Sequence, residues 1–439
     1  MTSLGVRVVM DARPLQDPDR GPLTALYLRH LLAAYDAAPI DGESFALLLQ
    51  SDLDDPTGEF ANLDIVGRRR LPPTRFLRSG AMTVDPILLR GASLGAAWQA
   101  DRGGAAGAVY HTAGAGPLPI ASGLPVVVTL LDLAPWEMPD VFGRSAAGRF
   151  GRRLRAQLLR EAAAVIVGTD ATARAATRLL HLKRDRVRVV PLAPRPAYAF
   201  WGAATGPGKR GNGRAKAAGS VGSAPSTDLA DAAVELAAQR DRLGLPERYL
   251  VYPGRYDARQ DLATLLATLA DLAAAGRPDG LPAAVPWPPR VVLVDASPED
   301  RAALARAAAK VGVGDALTYA PGLTEAGRAA LVRGARAAIL PVVSEATGLP
   351  VIEAIACGTP VVASSVGALP ELVGGAGLLV GPRDPVRLAV ALRAIWADDG
   401  VHGGVAAVAR ERAEADRRTW ADVADETRGI YAEVGTRAP

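Results

Sequence analysis

The chain alternates short apolar runs with longer stretches in which apolar residues recur at helical spacing. In the first half, Val6 to Met10, Ser44 to Leu49, Asp64 to Gly67, Val109 to Thr112, Pro125 to Leu133, Ala164 to Gly168 and Val187 to Leu192 are of strand length. Tyr249 to Pro253, Arg290 to Asp295, Ala337 to Val343, Thr359 to Ala363 and Gly377 to Val380 repeat the pattern in the second. Between these runs lie helical patterns. One starts near Pro22, one carries Phe150, Leu154, Leu158 and Leu159, and leucines at 262, 265, 266, 269 and 272 mark a face of a third. Ala368 to Val373 predicts a short helix. Thr419 with Asp422 makes a capping box that opens the last, with Trp420, Val423, Ala424, Thr427, Ile430, Tyr431 and Val434 on one face. Strands alternating with helices predict an α/β architecture.

At 439 residues the chain is long enough for about two domains. The pattern stops between Arg195 and Glu247, where Gly202 to Ser226 is rich in Gly, Ala and Ser and predicts a flexible insertion. The boundaries expected are a first domain over 1–196, a linker over 197–247, a second domain over 248–418 and a terminal helix over 419–439. Apolar residues are 49% of the chain and aromatics 5%, which fits alanine-rich helices. No apolar run reaches the length of a membrane span, and the N-terminus goes directly into a strand pattern rather than a signal peptide. The single cysteine, Cys357, excludes an internal disulfide and points to the cytoplasm, and four scattered histidines give no zinc pattern. A net charge of +4 is too mild to imply nucleic acid. The charge does cluster, in Arg68 to Arg70 with Arg75 and Arg78, and in Arg144, Arg149, Arg152, Arg153, Arg155 and Arg160. A basic amphipathic helix over Arg144 to Arg160 can lie on an anionic membrane; a solvated surface helix is the plainer reading.

The chemistry concentrates in Pro341 to Pro385, where Glu345 and Glu353 stand with seven residues between them, flanked by two apolar runs. Gly348 lets backbone approach a ligand, Pro350 suits the first helical position and Gly358 supplies a stop. Thr347 and Leu349 complete the turn. The helix so predicted opens with unpaired N–H groups, a phosphate-binding arrangement, with a carboxylate on each side. A nucleotide sugar has that layout. A plain strand, loop and helix with two acids at this spacing is the alternative.

The text SEATGLPVIEAIACGTPVVAS resembles the E-x7-E region of retaining GT-B glycosyltransferases, glycosyltransferase family 4 in particular. The resemblance implies two Rossmann-like domains with parallel sheets facing a cleft, the first on the acceptor side, the second binding the nucleotide sugar, and a last helix crossing back to the first. It implies that Glu345 faces the transferred sugar and Glu353 holds the ribose hydroxyls. YPGRYDARQDL resembles the family's diphosphate-neutralising loop: Arg259 is retained, Gln260 replaces a lysine, and Arg255 is similar to an arginine that some members carry. As an alternative, both arginines are surface residues at a helix start. ALTYAPGL, Ala316 to Leu323, is similar to the segment facing the nucleotide base. In the first domain Gly21 is present but Leu23 replaces the second glycine of the usual turn, and Leu131 replaces a donor-contacting histidine while Asp132 is kept. His111 stands where members often have histidine, which implies an acceptor-side contact, a core role being the alternative.

The function implied is transfer of a hexose, mannose or glucose by default, from a nucleoside diphosphate sugar to a hydroxyl of a sugar or lipid-linked sugar acceptor. The resemblance implies retention, no metal or other cofactor, envelope polysaccharide or glycoconjugate synthesis, and a cytoplasmic site with membrane contact through the basic helix. Leu23, Leu131 and Gln260 keep a second reading open, a catalytically degenerate binding module or partner of an active transferase. A GT-B sugar-nucleotide epimerase is a third.

Overall fold

In RVVMD, Val8, Val9 and Met10 have no exposure at all, as expected of a central strand covered on both faces. The computed structural model describes residues 6–74, 81–102, 107–199 and 229–435. Arg75, Arg78 and the insertion expected at 202–226 lie outside the described residues. The chain divides into two units. The first comprises Met1–Ala193, Ser344–Thr347 and Thr419–Pro439, and the second Pro194–Val343 and Gly348–Arg418.

In the first unit, β1 (Arg7–Asp11), β2 (Ser44–Gln50), β3 (Ile65–Leu71), β4 (Ala108–Ala113), β5 (Val126–Thr129), β6 (Ala164–Val167) and β7 (Val187–Val189) form a sheet in the order β3-β2-β1-β4-β5-β6-β7. Every pairing is parallel, with Met10 opposite both Leu47 and His111. β3 runs beyond the expected Gly67 to Leu71, because Arg68 to Arg70 sit on an exposed edge strand where charge is tolerated and discourages further pairing. β5 stops short of the expected Leu133: after Leu130, whose N donates to Ile166 O (2.8 Å), the chain leaves the sheet and Asp132 Oδ1 accepts from Ala134 N (2.8 Å), starting the turn Ala134–Glu137. The last helix, Trp420–Gly435, packs on this unit, against Pro22–Ala37 and β4, and the face read from the sequence is the buried one. Its capping box is present, Thr419 N donating to Asp422 Oδ2 at 2.7 Å.

In the second unit, β8 (Leu250–Tyr252), β9 (Val291–Val294), β10 (Leu317–Ala320), β11 (Ala337–Leu340), β12 (Val361–Ser364) and β13 (Gly377–Val380) form a parallel sheet in the order β10-β9-β8-β11-β12-β13. Alternation along β11 divides the core. Ala338 and Leu340 pack on one face with Leu331, Val351 and Ala354, while Ala337 and Ile339 pack on the other with Leu265, Leu269 and Trp396. The apolar runs lack polar alternation because both faces are covered by helices.

Candidate functional site

In the second sheet the chain proceeds outward from β8 in one direction and from β11 in the other, so these neighbours flank the topological switch point. Loops leaving the carboxyl ends of two such strands diverge and open a crevice, the common ligand position in open parallel sheets. The two loops here are those that carry the motif residues. They are pinned together: Asp261 N donates to Pro341 O (2.7 Å), Val343 N donates to Arg259 O (2.8 Å), and Gln260 bridges Val342 in antiparallel fashion.

Arg259 is not an unengaged cation in this loop. Its Nε lies 3.0 and 3.1 Å from the two carboxylate oxygens of Asp257, and Nη2 also donates to Asp257. Against the upward push of partial burial, these bonds hold the Asp257 carboxyl below its ordinary value. Gln260 Oε1 accepts from the Tyr252 hydroxyl (2.9 Å), which also reaches the Arg255 carbonyl. Arg255 adopts φ 76°, a left-handed conformation uncommon outside glycine, directly after Gly254 at φ 100°.

Gly348 ends the β11 loop in the left-handed region (φ 61°) as the residue before the helix Leu349–Ala356. The left-handed backbone favours glycine, and a Cβ there would meet Leu372 Cδ1 at 2.2 Å, so that side chain would have to move. Pro350 is the second helical residue rather than the first, Leu349 preceding it. Since proline brings no N–H and Val351 and Ile352 donate to Gly348 O, the first turn has fewer amides for a ligand than an ordinary helix start. Glu345 lies in the loop and is 8% exposed; its Oε1 accepts from Thr347 N (3.0 Å) and Thr347 Oγ1 (2.9 Å).

Glu353, about one turn into the helix, is buried and held in a two-point contact by Arg195: Nε to Oε1 at 2.5 Å and Nη2 to Oε2 at 2.9 Å. Burial raises the Glu353 carboxyl above its ordinary value, with the Arg195 charge and hydrogen bonds opposing it. Arg195 is itself placed by Tyr198, whose hydroxyl takes Nη2 (2.9 Å) and whose ring lies 4.6 Å from the guanidinium carbon. Arg195 and Tyr198 are the residues that sequence reasoning missed. They stand 158 and 155 positions before Glu353 and belong to no contiguous motif.

The first unit has its own switch point between β1 and β4, and there a cavity of about 340 Å³ is lined by Asp11, Arg13, Gly21, Thr24, Asp85 and Thr112, among others. Gly21 precedes the helix Pro22–Ala37 and has room for a Cβ, so no close backbone approach demands glycine there; Leu23 is the second residue of that helix. Arg13 gives Nε and Nη2 to the two oxygens of Asp11 and Nη1 to Asp85 Oδ2, each at 2.8 Å. Against the lowering effect of burial, the two aspartates raise its pKa.

The acceptor-side contact expected of His111 is not where its ring goes. His111 has no exposure; Nε2 meets Thr129 Oγ1 at 2.9 Å and Nδ1 meets the Tyr431 hydroxyl at 2.6 Å, tying the last helix to β4. Burial pushes its pKa down to about 3. Leu131 is 4% exposed, and Asp132 serves the following turn. Within the basic helix Ala146–Glu161, Arg155 points inward at 3% exposure, with Nη2 on Gly114 O, and burial pushes it down to about 10.

Comparison with known proteins places both units. Residues 24–193 match the Glycosyl transferase 4-like domain model and residues 247–398 the model described as Glycosyl transferases group 1. A D-inositol 3-phosphate glycosyltransferase of Streptomyces bingchenggensis is 38% identical over 133 residues, 30% of this chain and 29% of that protein. The chain spans less than half the length of the curated relatives it matches. Among solved structures, a sucrose-phosphate synthase of Thermosynechococcus elongatus superposes with TM-score 0.64 at 21% identity over 98% of both chains. HepE of Anabaena, solved in complex with UDP, gives 0.63 at 15% over 98% of this chain and all of that one. At such identities the likeness concerns the fold, and that fold is GT-B. With a 4-like domain followed by a group 1 domain on this architecture, the chain belongs to the group 1 glycosyltransferases of GT-B fold.

Proposed function

We propose that the protein transfers a hexose of mannose or glucose type from a nucleoside diphosphate sugar to a hydroxyl of a sugar or lipid-linked sugar, with retention at the anomeric carbon, as a family 4 enzyme. The observation that carries this reading is the crevice after β8 and β11, where an arginine-bearing loop is pinned beside the turn that leads into Glu353. In the proposed step the bond from C1 to the β-phosphate oxygen breaks and the acceptor oxygen forms its bond to C1 on the same face. The acceptor proton passes to the leaving phosphate. Arg255, Arg259 and the amides at the start of the helix offset charge on the departing diphosphate without a resident metal. Glu345 orients the sugar or stabilises positive charge on its ring, and Glu353 accepts from the ribose hydroxyls with the lone pairs that Arg195 leaves.

The names of the relatives support a sugar-transferring activity, and the UDP bound to HepE supports a nucleotide donor. We place the activity in the cytoplasm, in envelope polysaccharide or glycoconjugate synthesis. Membrane contact through Ala146–Glu161 belongs to the same reading: Phe142 and Phe150 are exposed beside Arg144, Arg149 and Arg153. A second reading, a sugar-nucleotide binding module without turnover, is favoured by the engagement of Arg259 with Asp257 and by the apolar Leu131. The two part on one test, incubation with UDP-, GDP- and ADP-sugars and candidate acceptors, with the anomeric configuration of any product followed by NMR. An α-linked product from an α-linked donor supports the transferase; nucleotide binding with no product supports the module, and an inverted product refutes retention.

A further inference from the structure

The cavity at the β1–β4 switch point has a charge arrangement that selects among acceptors. Asp11, Arg13 and Asp85 form its buried floor, with side-chain exposures of 4%, 8% and 5%. One guanidinium serves two carboxylates, so the trio carries a net negative charge. Each of the three Arg13 guanidinium nitrogens donates to an aspartate oxygen, so its charge is matched within the trio. Asp85 Oδ2 takes Arg13, but Asp85 Oδ1 is buried and has no hydrogen-bond partner among the described residues. A buried carboxylate oxygen without a donor is costly, and Asp85 lines the cavity, so a ligand O–H is the group that would satisfy it. Thr24 and Thr112 add hydroxyls that both donate and accept. Among the described residues the lining also includes Arg20 and Asp17, which makes two arginines against three aspartates. The volume, about 340 Å³, is at the small end of ligand pockets and suits a single sugar ring.

We infer that this cavity receives the acceptor, and that it takes the neutral, hydroxyl-bearing end of a sugar or cyclic polyol and discriminates against the same ring carrying a phosphate. A phosphate here would face Asp11 and Asp85 with the nearest arginine already neutralised, and like charges in a poorly solvated site repel strongly. The matched relatives include a glycosyltransferase named for a phosphorylated inositol, so the inference separates this chain from them in acceptor chemistry. It rests on the transferase reading above only for the word acceptor; the selectivity belongs to the cavity.

The test is direct binding to the full chain by saturation-transfer NMR. The probes are methyl α-mannoside, methyl α-glucoside and myo-inositol, each against mannose 6-phosphate, glucose 6-phosphate or inositol 3-phosphate. At least one neutral probe is expected to bind ten-fold or more tightly than its phosphate. Asp85→Asn should weaken that probe five-fold or more and narrow the discrimination. Thr24→Val, which touches no ion pair, should weaken it two- to five-fold with an unchanged melting temperature. Equal or tighter binding of the phosphates, no binding of any neutral probe, or neutral binding indifferent to both variants would overturn the inference. UDP and GDP titrated in parallel keep the two readings apart: polyol binding without nucleotide binding leaves the cavity assignment standing and removes the transferase, and the converse removes the cavity assignment alone.

Discussion

At the scale of single residues, Gly348 and His111 make the sharpest commitments. Gly348→Ala would place a Cβ against Leu372 in a left-handed backbone, so the turn is strained and the Leu372 side chain is displaced. We expect a loss of about 1–3 kcal/mol in stability and at least ten-fold in nucleotide affinity, read by chemical denaturation and calorimetric titration. His111 is neutral in the fold, with its pKa pushed down to about 3, while in the unfolded chain it protonates below its ordinary 6.5. Its folded pKa is depressed, so its contribution is complete above about pH 6.5 and declines as pH falls towards 3. Between pH 7 and pH 5 wild type should therefore lose about 2 kcal/mol more than His111→Gln, measured as the difference in urea midpoints. Equal losses in the two proteins would show that the ring is not the buried neutral group described. Gly348 could be read from the sequence because its neighbours are contiguous. The fate of His111 could not, since Thr129 and Tyr431 lie 18 and 320 positions away.

At the scale of elements, the pair between Arg195, after β7, and Glu353, on Leu349–Ala356, is the interaction that most affects the candidate site. Removing one partner strands a buried charge, and Arg195→Met should cost about 3–5 kcal/mol. Arg195→Met with Glu353→Leu should be less destabilised than Arg195→Met alone, because no charge is then left unmatched. A double variant as unstable as the sum of the two would contradict the pairing. The strands other than β10 were legible, since runs such as VVASS or RVVLVD permit little else; β10 lies in ALTYAPGL, where Thr318 and the following proline and glycine obscure the apolar run. Helices such as Ala81–Arg102, Pro298–Lys310 and Asp399–Ala415 were not singled out, because alanine, glycine and charge spread over their whole surface blur the 3.6-residue period. The Arg68 to Arg70 run hid the second half of an edge strand for the opposite reason, charge where a strand is expected to be apolar.

At the scale of the whole molecule, each unit owns a parallel sheet with its own switch point, and the terminal helix belongs to the first unit's core. Truncation after Arg418 would expose the surfaces that Trp420, Tyr431 and their neighbours cover on Pro22–Ala37 and β4. Calorimetry should then show the first unit's transition lowered by ten degrees or more or lost, with the second's retained; an unchanged trace would refute the assignment. The architecture and the motif loops were readable because they are local in sequence, whereas the partners that set their electrostatics, Arg195 for Glu353 and Asp257 for Arg259, emerge only from folding. The central claim is that the β8–β11 crevice binds a nucleoside diphosphate sugar through Glu353. Calorimetric titration of UDP-glucose, GDP-mannose and ADP-glucose into wild type and Glu353→Ala tests it most directly. The account predicts micromolar to millimolar binding of one nucleotide class, weakened at least ten-fold by the substitution; binding by none, or binding indifferent to Glu353, would contradict it.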